Sequence, residues 1–258
     1  MADGPDLGTK HLVTHVDDRV LHVRIDRVDQ RNAFTQDMYR GIKRAAIWAD
    51  AQPELDAVCI TGTGDWFGAG GDLASRQEDP EGLAVEWDGT DHHPFRHIER
   101  CRKIWVAKIN GACIAGGLGI AIHCDVSVAS DRATFRVPEL LRGIPDPYMA
   151  ARLVDVVGLV RARHLLFNAE RFDAERALAM GIIGEVVPHA DLDARTDALL
   201  EQVRSTGPLS RAAIKHDINS ALRPADLSLF KVPGLTDEMR EGMGAFVEKR
   251  PVDWPRPS

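Results

Sequence analysis

The sequence predicts a mixed α/β fold in its first two thirds and an all-helical last third. Short segments rich in β-branched residues alternate with longer segments of helical periodicity. Only helical patterns remain in the last third, where they are broken at Pro208 and around Pro224 to Pro233. A glycine-rich turn also follows two of the predicted buried strands. We therefore expect an α/β core over residues 1–190 and a helical region over residues 191–258.

The first unit begins with a hairpin and continues with a helix. Apolar and polar side chains alternate over Val20 to Ile25, which predicts a half-buried strand, and His11 to Val16 is its expected partner. Thr35 is a suitable N-cap for a helix that ends near Asp50, because the apolar residues in between recur at helical spacing. Ala57 to Thr61 is expected to form a short buried strand.

The second unit repeats this alternation of helices and strands. Asp173 is the expected cap of its last helix, which ends at Gly181. The predicted helices before it are Ile98 to Arg102, Gly116 to Cys124 and Ala150 to Val157, and the predicted strands are Trp105 to Ile109, Asp125 to Ala129 and Ile182 to Val187.

Composition and charge exclude several classes of function. The net charge of −7 argues against a nucleic-acid partner and against binding to a membrane surface. No apolar segment is long enough to span a bilayer, and the polar segment Met1 to Lys10 predicts no secretory leader. None of the four cysteines belongs to a C-x-x-C pair, which predicts reduced thiols and a cytoplasmic location.

Two glycine-rich segments, Trp66 to Leu73 and Asn110 to Gly119, are the strongest candidates for a functional site. Each directly follows a predicted strand and precedes a predicted helix start. Glycine lets a ligand approach the main chain closely, and a helix start presents unpaired N–H groups with partial positive charge. Either segment alone is typical of a tight turn. The occurrence of both favours an oxyanion hole, in which two N–H groups are directed at one oxygen.

Both segments resemble signatures of the crotonase (enoyl-CoA hydratase/isomerase) superfamily. The first resembles its F-x-A-G-x-D-L loop, and the second its N-G-x-x-x-G-G-G-x-x-L-A-x-x-C-D signature. Similar R-N-A-L, F-x-x-P-E, A-x-x-x-G-L-V and E-G-x-x-A-F-x-E-K-R stretches follow the family order along nearly the whole chain. The matching residues are Phe67, Ala69, Gly70, Asp72 and Leu73 in the first segment and Asn110, Gly111, Gly116, Gly117, Ala121, Cys124 and Asp125 in the second.

The resemblance implies a fold, a substrate class and a set of site residues. The fold is a ClpP/crotonase-like spiral of ββα units with a C-terminal helical region that packs a homotrimer or a dimer of trimers. The substrate is an acyl-CoA thioester, and no separate cofactor is implied because coenzyme A is part of the substrate. The backbone N–H groups of Ala69 and Gly116 would be the oxyanion donors, with Glu139 as general acid/base. The expected substrate contacts are Arg31, Ala33, Gly70, Asp72, Leu73, Gly117, Gly119, Tyr148, Phe246 and Lys249.

The sequence departs from the family pattern at two places that bear on the reaction. Hydratases of this family use two glutamates, and Gly119 stands where the second is expected. A double-bond shift from C3 to C2 needs only one base, which Glu139 supplies. The segment Gly143 to Leu153 is also shorter than in the family and has lost glycines. Asp146 either replaces the missing acid or caps the next helix, and Tyr148 is a candidate hydrogen-bond donor.

The remaining polar candidates are histidines. The stretch Arg76 to His97 is expected to form a wall of the acyl pocket, and it contains His92 and His93. A third ligand at metal-binding spacing is missing from the sequence, so no metal site is predicted. A histidine that reaches the pocket as an extra base is an alternative to a solvated loop.

Other functions remain open on the sequence alone. Within the superfamily, hydrolysis of a thioester or of a C–C bond uses the same oxyanion hole. A non-catalytic acyl-CoA-binding paralogue is a third reading, since one acid is missing. A dinucleotide site at Gly62-Thr63-Gly64 is disfavoured because the third glycine of G-x-G-x-x-G is replaced by Phe67.

Overall fold

The computed structural model describes residues 2–73 and 93–255, which contain two sheets and surrounding helices. The larger sheet has seven strands. An N-terminal antiparallel hairpin region is followed by parallel pairing across the rest of the sheet. With strands numbered along the chain, its spatial order is β1 (Ala2–Asp3), β2 (Leu12–Asp17), β3 (Val20–Ile25), β4 (Ala57–Gly62), β6 (Ile104–Ile109), β8 (Val126–Ser130) and β11 (Glu185–Val187).

A second sheet of four very short strands was not predicted from the sequence. Its spatial order is β10 (Phe172–Asp173), β9 (Thr134–Arg136), β7 (Ala112–Ile114) and β5 (Trp66–Gly68). Strands β5 and β7 lie where the sequence predicted only glycine turns. They pair in parallel, with Trp66 opposite Ala112 and Gly68 opposite Cys113. The two glycine-rich segments therefore leave the sheet side by side.

The helices surround the sheets, and the mixed α/β prediction is confirmed. Thr35 caps the first helix, since its hydroxyl accepts a hydrogen bond of 3.3 Å from the N–H of Met38. The helices are α1 (Gln36–Ala51), α2 (Phe95–Arg100), α3 (Gly116–His123), α4 (Pro147–Val157), α5 (Leu159–Asn168), α6 (Ala174–Ala179), α7 (Leu192–Arg204), α8 (Pro208–Ser220) and α9 (Leu235–Glu248), with 3-10 turns at Val28–Gln30, Glu139–Arg142, His189–Asp191 and Leu227–Lys231.

Several predicted boundaries were wrong. Helix α2 begins at Phe95, three residues earlier than expected, and α4 begins at Pro147 because Asp146 caps it. The last strand is shorter than predicted, and α5 was missed. In α5 only Ala162 and Leu165 are buried, so the helix has no apolar stripe that a periodicity analysis detects. No helix within residues 2–73 and 93–255 is both long and apolar enough to cross a bilayer.

A buried ion pair anchors the far end of the glycine helix α3. Lys215 of α8 donates to Asp125, two residues after the end of α3, at 2.6 Å. It also donates to the carbonyls of Ile98 and Lys103 at 2.9 and 3.0 Å. Asp125 also accepts from the N–H of Trp105 at 2.7 Å. Removing one partner of such a buried pair costs about 3–5 kcal/mol. The pair therefore fixes the C-terminal end of α3 against strand β6.

Candidate active site

The two glycine-rich segments meet at the paired ends of β5 and β7. A Cβ added at Gly117 would lie only 2.5 Å from the carbonyl oxygen of Gly68 and 3.0 Å from its carbonyl carbon. These neighbours are backbone atoms that no side-chain rotation can move. The loop after β5 and the start of α3 therefore approach one another as closely as two main chains can.

A strained turn separates β7 from α3. Ala115 has φ 53° and ψ −127°, a combination that L-residues rarely adopt. Such strain costs about 1–3 kcal/mol, and it persists only where the surroundings enforce it. The N–H of Ala115 donates to the carbonyl of Arg136 at 3.0 Å, which holds the turn in place. Gly116 is then the first residue of α3, where an N–H has no partner within its own helix.

A cavity of about 790 Å³ opens beside this junction. Eleven of the fourteen site residues that were predicted from the sequence line this cavity. Gly70, Gly117 and Gly119 are not among the described residues that line it. The nominated residues that line the cavity are Arg31, Ala33, Ala69, Asp72, Leu73, Gly116, Glu139, Asp146, Tyr148, Phe246 and Lys249.

Glu139 is the buried carboxyl group of the cavity wall. It is the first residue of the 3-10 turn Glu139–Arg142 and is only 8% exposed. Within the described residues, neither of its carboxyl oxygens has a hydrogen-bond partner. Burial, followed by the negative charge of Asp146, raises the pKa of Glu139 to about 8. Near neutral pH the raised pKa favours the protonated carboxyl group.

Asp146 is the observed cap of α4, and its side chain also lines the cavity. Its carboxylate caps α4 by accepting a hydrogen bond of 2.9 Å from the N–H of Met149. The same side chain lines the cavity and acts electrostatically on Glu139. The cap fixes the position of the Asp146 carboxylate. Glu139 and Asp146 therefore both line the cavity, seven residues apart in the chain.

An aromatic ring fills the space beside Gly119. A Cβ at this position would lie 3.1 Å from two carbon atoms of the Phe95 ring and 3.8 Å from Cε of Met149. Phe95 itself stacks on His123, with ring centroids 4.7 Å apart. A side chain at residue 119 would therefore require the ring of Phe95 to move by a few tenths of an ångström.

The cavity also contains Tyr39 and Phe95, which sequence reasoning did not assign, and His93, which it named only as an alternative base. Tyr39, His93 and Phe95 form an aromatic group together with Tyr148, with centroid separations of 5.2 to 5.4 Å. His93 thus lies in the cavity wall, whereas His92 and most of the stretch from residue 76 to 97 lie outside the described residues. Searched over residues 2–73 and 93–255, the structure holds no cluster of metal-ligating side chains.

Five described basic side chains line the cavity, beside the carboxyl groups of Asp29, Asp72, Glu139 and Asp146. Arg136, Arg142 and Arg171 line it together with the predicted Arg31 and Lys249. Burial, and to a lesser degree the nearby Arg136, lowers the pKa of Arg142. The chain as a whole is acidic, so this concentration of cations suits an anionic ligand.

Asp72 stabilises the glycine loop from one side. It forms an ion pair of 2.8 Å with Arg27, and its N–H donates to the carbonyl of Phe34 at 2.9 Å. The carbonyl of Gly70 in turn accepts from the N–H of Phe34 at 2.8 Å. These contacts tie the loop to the chain just before α1.

Helix α9 packs directly onto the turn that carries Glu139. A Cβ at Gly242 would lie 2.5 Å from the carbonyl oxygen of Arg142, so the helix backbone touches the turn. The guanidinium of Arg142 lies over the ring of Phe246, 3.8 Å from its centroid. Such cation–π contacts contribute about 0.5–2 kcal/mol. The position of Glu139 therefore depends on a helix almost a hundred residues further along the chain.

The comparisons with known proteins agree with this architecture. The family model described as enoyl-CoA hydratase/isomerase matches residues 15–257. The chain is 29% identical over 255 residues to crotonyl-CoA hydratase of Syntrophomonas wolfei subsp. wolfei, covering 95% of this chain and 98% of that protein. It is 31% identical over 261 residues to mevalonyl-coenzyme A hydratase of Aspergillus fumigatus, covering 96% of this chain and 95% of that protein.

The fold comparison gives the same result. The chain matches an enoyl-CoA hydratase structure from Mycobacterium avium subsp. paratuberculosis K-10 with a TM-score of 0.80, at 26% identity, covering 96% of this chain and all of that one. The two sheets and their helices are therefore the crotonase fold that the resemblance implied. The chain belongs to the enoyl-CoA hydratase/isomerase family.

Proposed function

We propose that the protein acts on enoyl-CoA thioesters and favours a double-bond shift from C3 to C2. The observation that carries the proposal is Glu139, a buried carboxyl group without a described hydrogen-bond partner whose pKa is raised to about 8. Its ionised form removes a proton from C2 of the substrate. The resulting carboxylic acid returns the proton at C4.

The thioester oxygen becomes negatively charged when the C2 proton leaves. The N–H groups of Ala69 and Gly116 are the proposed donors to this oxygen, since both residues line the cavity at the β5–β7 junction. A donor of this kind contributes roughly 3–4 kcal/mol to the transition state in other enzymes. The basic side chains around Arg31 and Lys249 are the proposed contacts of the coenzyme A phosphates.

The space beside Gly119 favours isomerisation over hydration. Adding water across the double bond needs groups that hold and activate a water molecule, and the second glutamate of family hydratases is replaced here by glycine. The ring of Phe95 fills that space. Asp146 is the cavity carboxylate whose charge acts on Glu139, so hydration with this pair of acids is the second candidate reaction.

Turnover of matched 3-enoyl- and 2-enoyl-CoA thioesters tests the proposal. Isomerisation predicts a gain of conjugated-thioester absorbance from the 3-enoyl substrate. Loss of that absorbance from the 2-enoyl substrate would instead favour hydration. Release of free thiol from either substrate would favour hydrolysis. Binding without any turnover would favour a non-catalytic acyl-CoA-binding protein and overturn the proposal.

We also propose that the chain assembles as a homotrimer or a dimer of trimers in the cytoplasm. Helix α8 exposes three large apolar side chains, Leu209, Ile214 and Ile218, which a monomer would leave in water. All four cysteines are free thiols, as expected in a reducing compartment. Light scattering should give three or six times the mass of one chain, and a single-chain mass would contradict the assembly.

A further inference from the structure

Tyr39 is a buried side chain that neither the sequence motifs nor the proposed mechanism uses. It projects from α1 and is only 3% exposed, and it lines the same cavity as Ala69 and Glu139. Its ring packs against Phe34, with centroids 5.2 Å apart, and meets the edge of His93 at 5.3 Å. Two ring contacts therefore fix where its hydroxyl points.

The hydroxyl of Tyr39 lies against the first residue of α3. A Cβ built on Gly116 would collide with Oη of Tyr39 and would lie 3.1 Å from Cζ. The hydroxyl thus occupies the space in which any side chain at residue 116 would begin. Glycine at this position is required for the phenol to reach the helix start, quite apart from any backbone requirement.

The chemistry of a phenol suits this place. It donates a hydrogen bond readily and keeps its own proton at neutral pH, because the ordinary pKa of tyrosine is near 10. The start of α3 carries partial positive charge, which attracts a developing negative charge to the same spot. A donor whose hydrogen bond strengthens as the oxygen becomes negative accelerates the reaction rather than merely tightening binding.

We infer that the Tyr39 hydroxyl is a third hydrogen-bond donor to the thioester oxygen, beside the N–H groups of Ala69 and Gly116. The inference rests on the proposed acyl-CoA function and adds a residue to the same site. Tyr39 donates a hydrogen bond without transferring its proton, so Glu139 remains the group that moves protons.

The variant Tyr39→Phe tests the inference because it keeps the ring and its packing. We expect kcat/KM to fall roughly 10- to 100-fold, chiefly through kcat, with the melting temperature nearly unchanged. The carbonyl stretch of a bound, non-reactive saturated acyl-CoA should also move to higher frequency, because one hydrogen bond to the oxygen is lost. Trp48→Phe is the matched control, since Trp48 lies on the same helix and does not line the cavity.

The carbonyl measurement separates this inference from the proposed function. It needs only binding of the thioester and gives a signal whichever reaction follows. An identical carbonyl frequency and unchanged kcat in Tyr39→Phe would overturn the role of Tyr39 alone. Failure of the wild type to bind any acyl-CoA would overturn the proposed function and the inference with it.

Discussion

Replacing Glu139 by glutamine should lower kcat for the enoyl-CoA reaction by about 10²- to 10⁴-fold, the usual contribution of a positioned acid/base. Glutamine has nearly the same shape, so the cavity and the affinity for acyl-CoA should be retained. The measurement is steady-state turnover of the 3-enoyl thioester beside Glu54→Gln, an exposed control. Equal activity of Glu139→Gln and wild type would contradict the assignment.

The pH dependence of the wild type provides an independent check on Glu139. A base must be ionised, so activity should rise with pH and level off above the Glu139 pKa of about 8. The charge of Asp146 contributes to that raised pKa, and Asp146→Asn should therefore move the rise to lower pH. A rise at the same pH in Asp146→Asn would mean that the two carboxyl groups do not interact.

The free energy of unfolding should fall as pH rises, whereas the activity should increase. The pKa of Glu139 is about 8 in the folded protein and near its ordinary value of 4.5 in the unfolded chain. Between these values the folded state binds more protons, so this residue lowers the free energy of unfolding as pH rises through the window. The loss over the whole window is on the order of 5 kcal/mol. The fall in melting temperature between pH 6 and pH 9 should be smaller in Glu139→Gln.

The variant Gly117→Ala should lower kcat/KM by about 10²- to 10³-fold, because it forces the two proposed oxyanion donors apart. Its Cβ would meet the backbone of Gly68, which is one residue before Ala69. The clash can be relieved only by separating the loop from α3. Overpacking of this kind also destabilises a fold by about 1–3 kcal/mol.

Gly207→Ala is the matched control for that variant. Residue 207 has φ −67°, and its added Cβ would meet nothing closer than 3.6 Å, so the methyl group fits without strain. Turnover and melting temperature are measured for both variants, which separates loss of the site from loss of the fold. A folded Gly117→Ala protein with wild-type turnover would show that the spacing of the two N–H groups does not matter.

The sequence predicted the parts of the site that lie in contiguous motifs. The two glycine segments and Glu139 each occupy a short stretch whose residue types identify it. The second sheet was missed because strands of two or three residues are too short to show a period. Tyr39 was missed because the sequence pattern of α1 does not distinguish it from the other core residues of that helix. Its contact with Gly116 becomes visible only in the folded structure.

The position of Phe95 in the cavity also could not be predicted from the sequence. The sequence showed that Gly119 stands where a carboxylate was expected. It could not show that Phe95 lies beside this glycine, because that contact depends on the packing of α2 against α3. Asp146 illustrates a different limit. The sequence offered helix capping and replacement of the missing acid as alternatives. The structure shows the cap and places the same side chain in the cavity wall, and its part in the reaction stays a prediction.

The packing of α9 on the Glu139 turn has a consequence for protein synthesis. The glycine segments and Glu139 leave the ribosome before residues 235–248 do, so the proposed acid/base is made before the helix that packs on its turn. A nascent chain that has reached α8 already contains every proposed hydrogen-bond donor to the thioester, yet its Glu139 turn still lacks the Arg142–Phe246 contact. The full cavity wall can therefore form only after residues 235–248 have been synthesised.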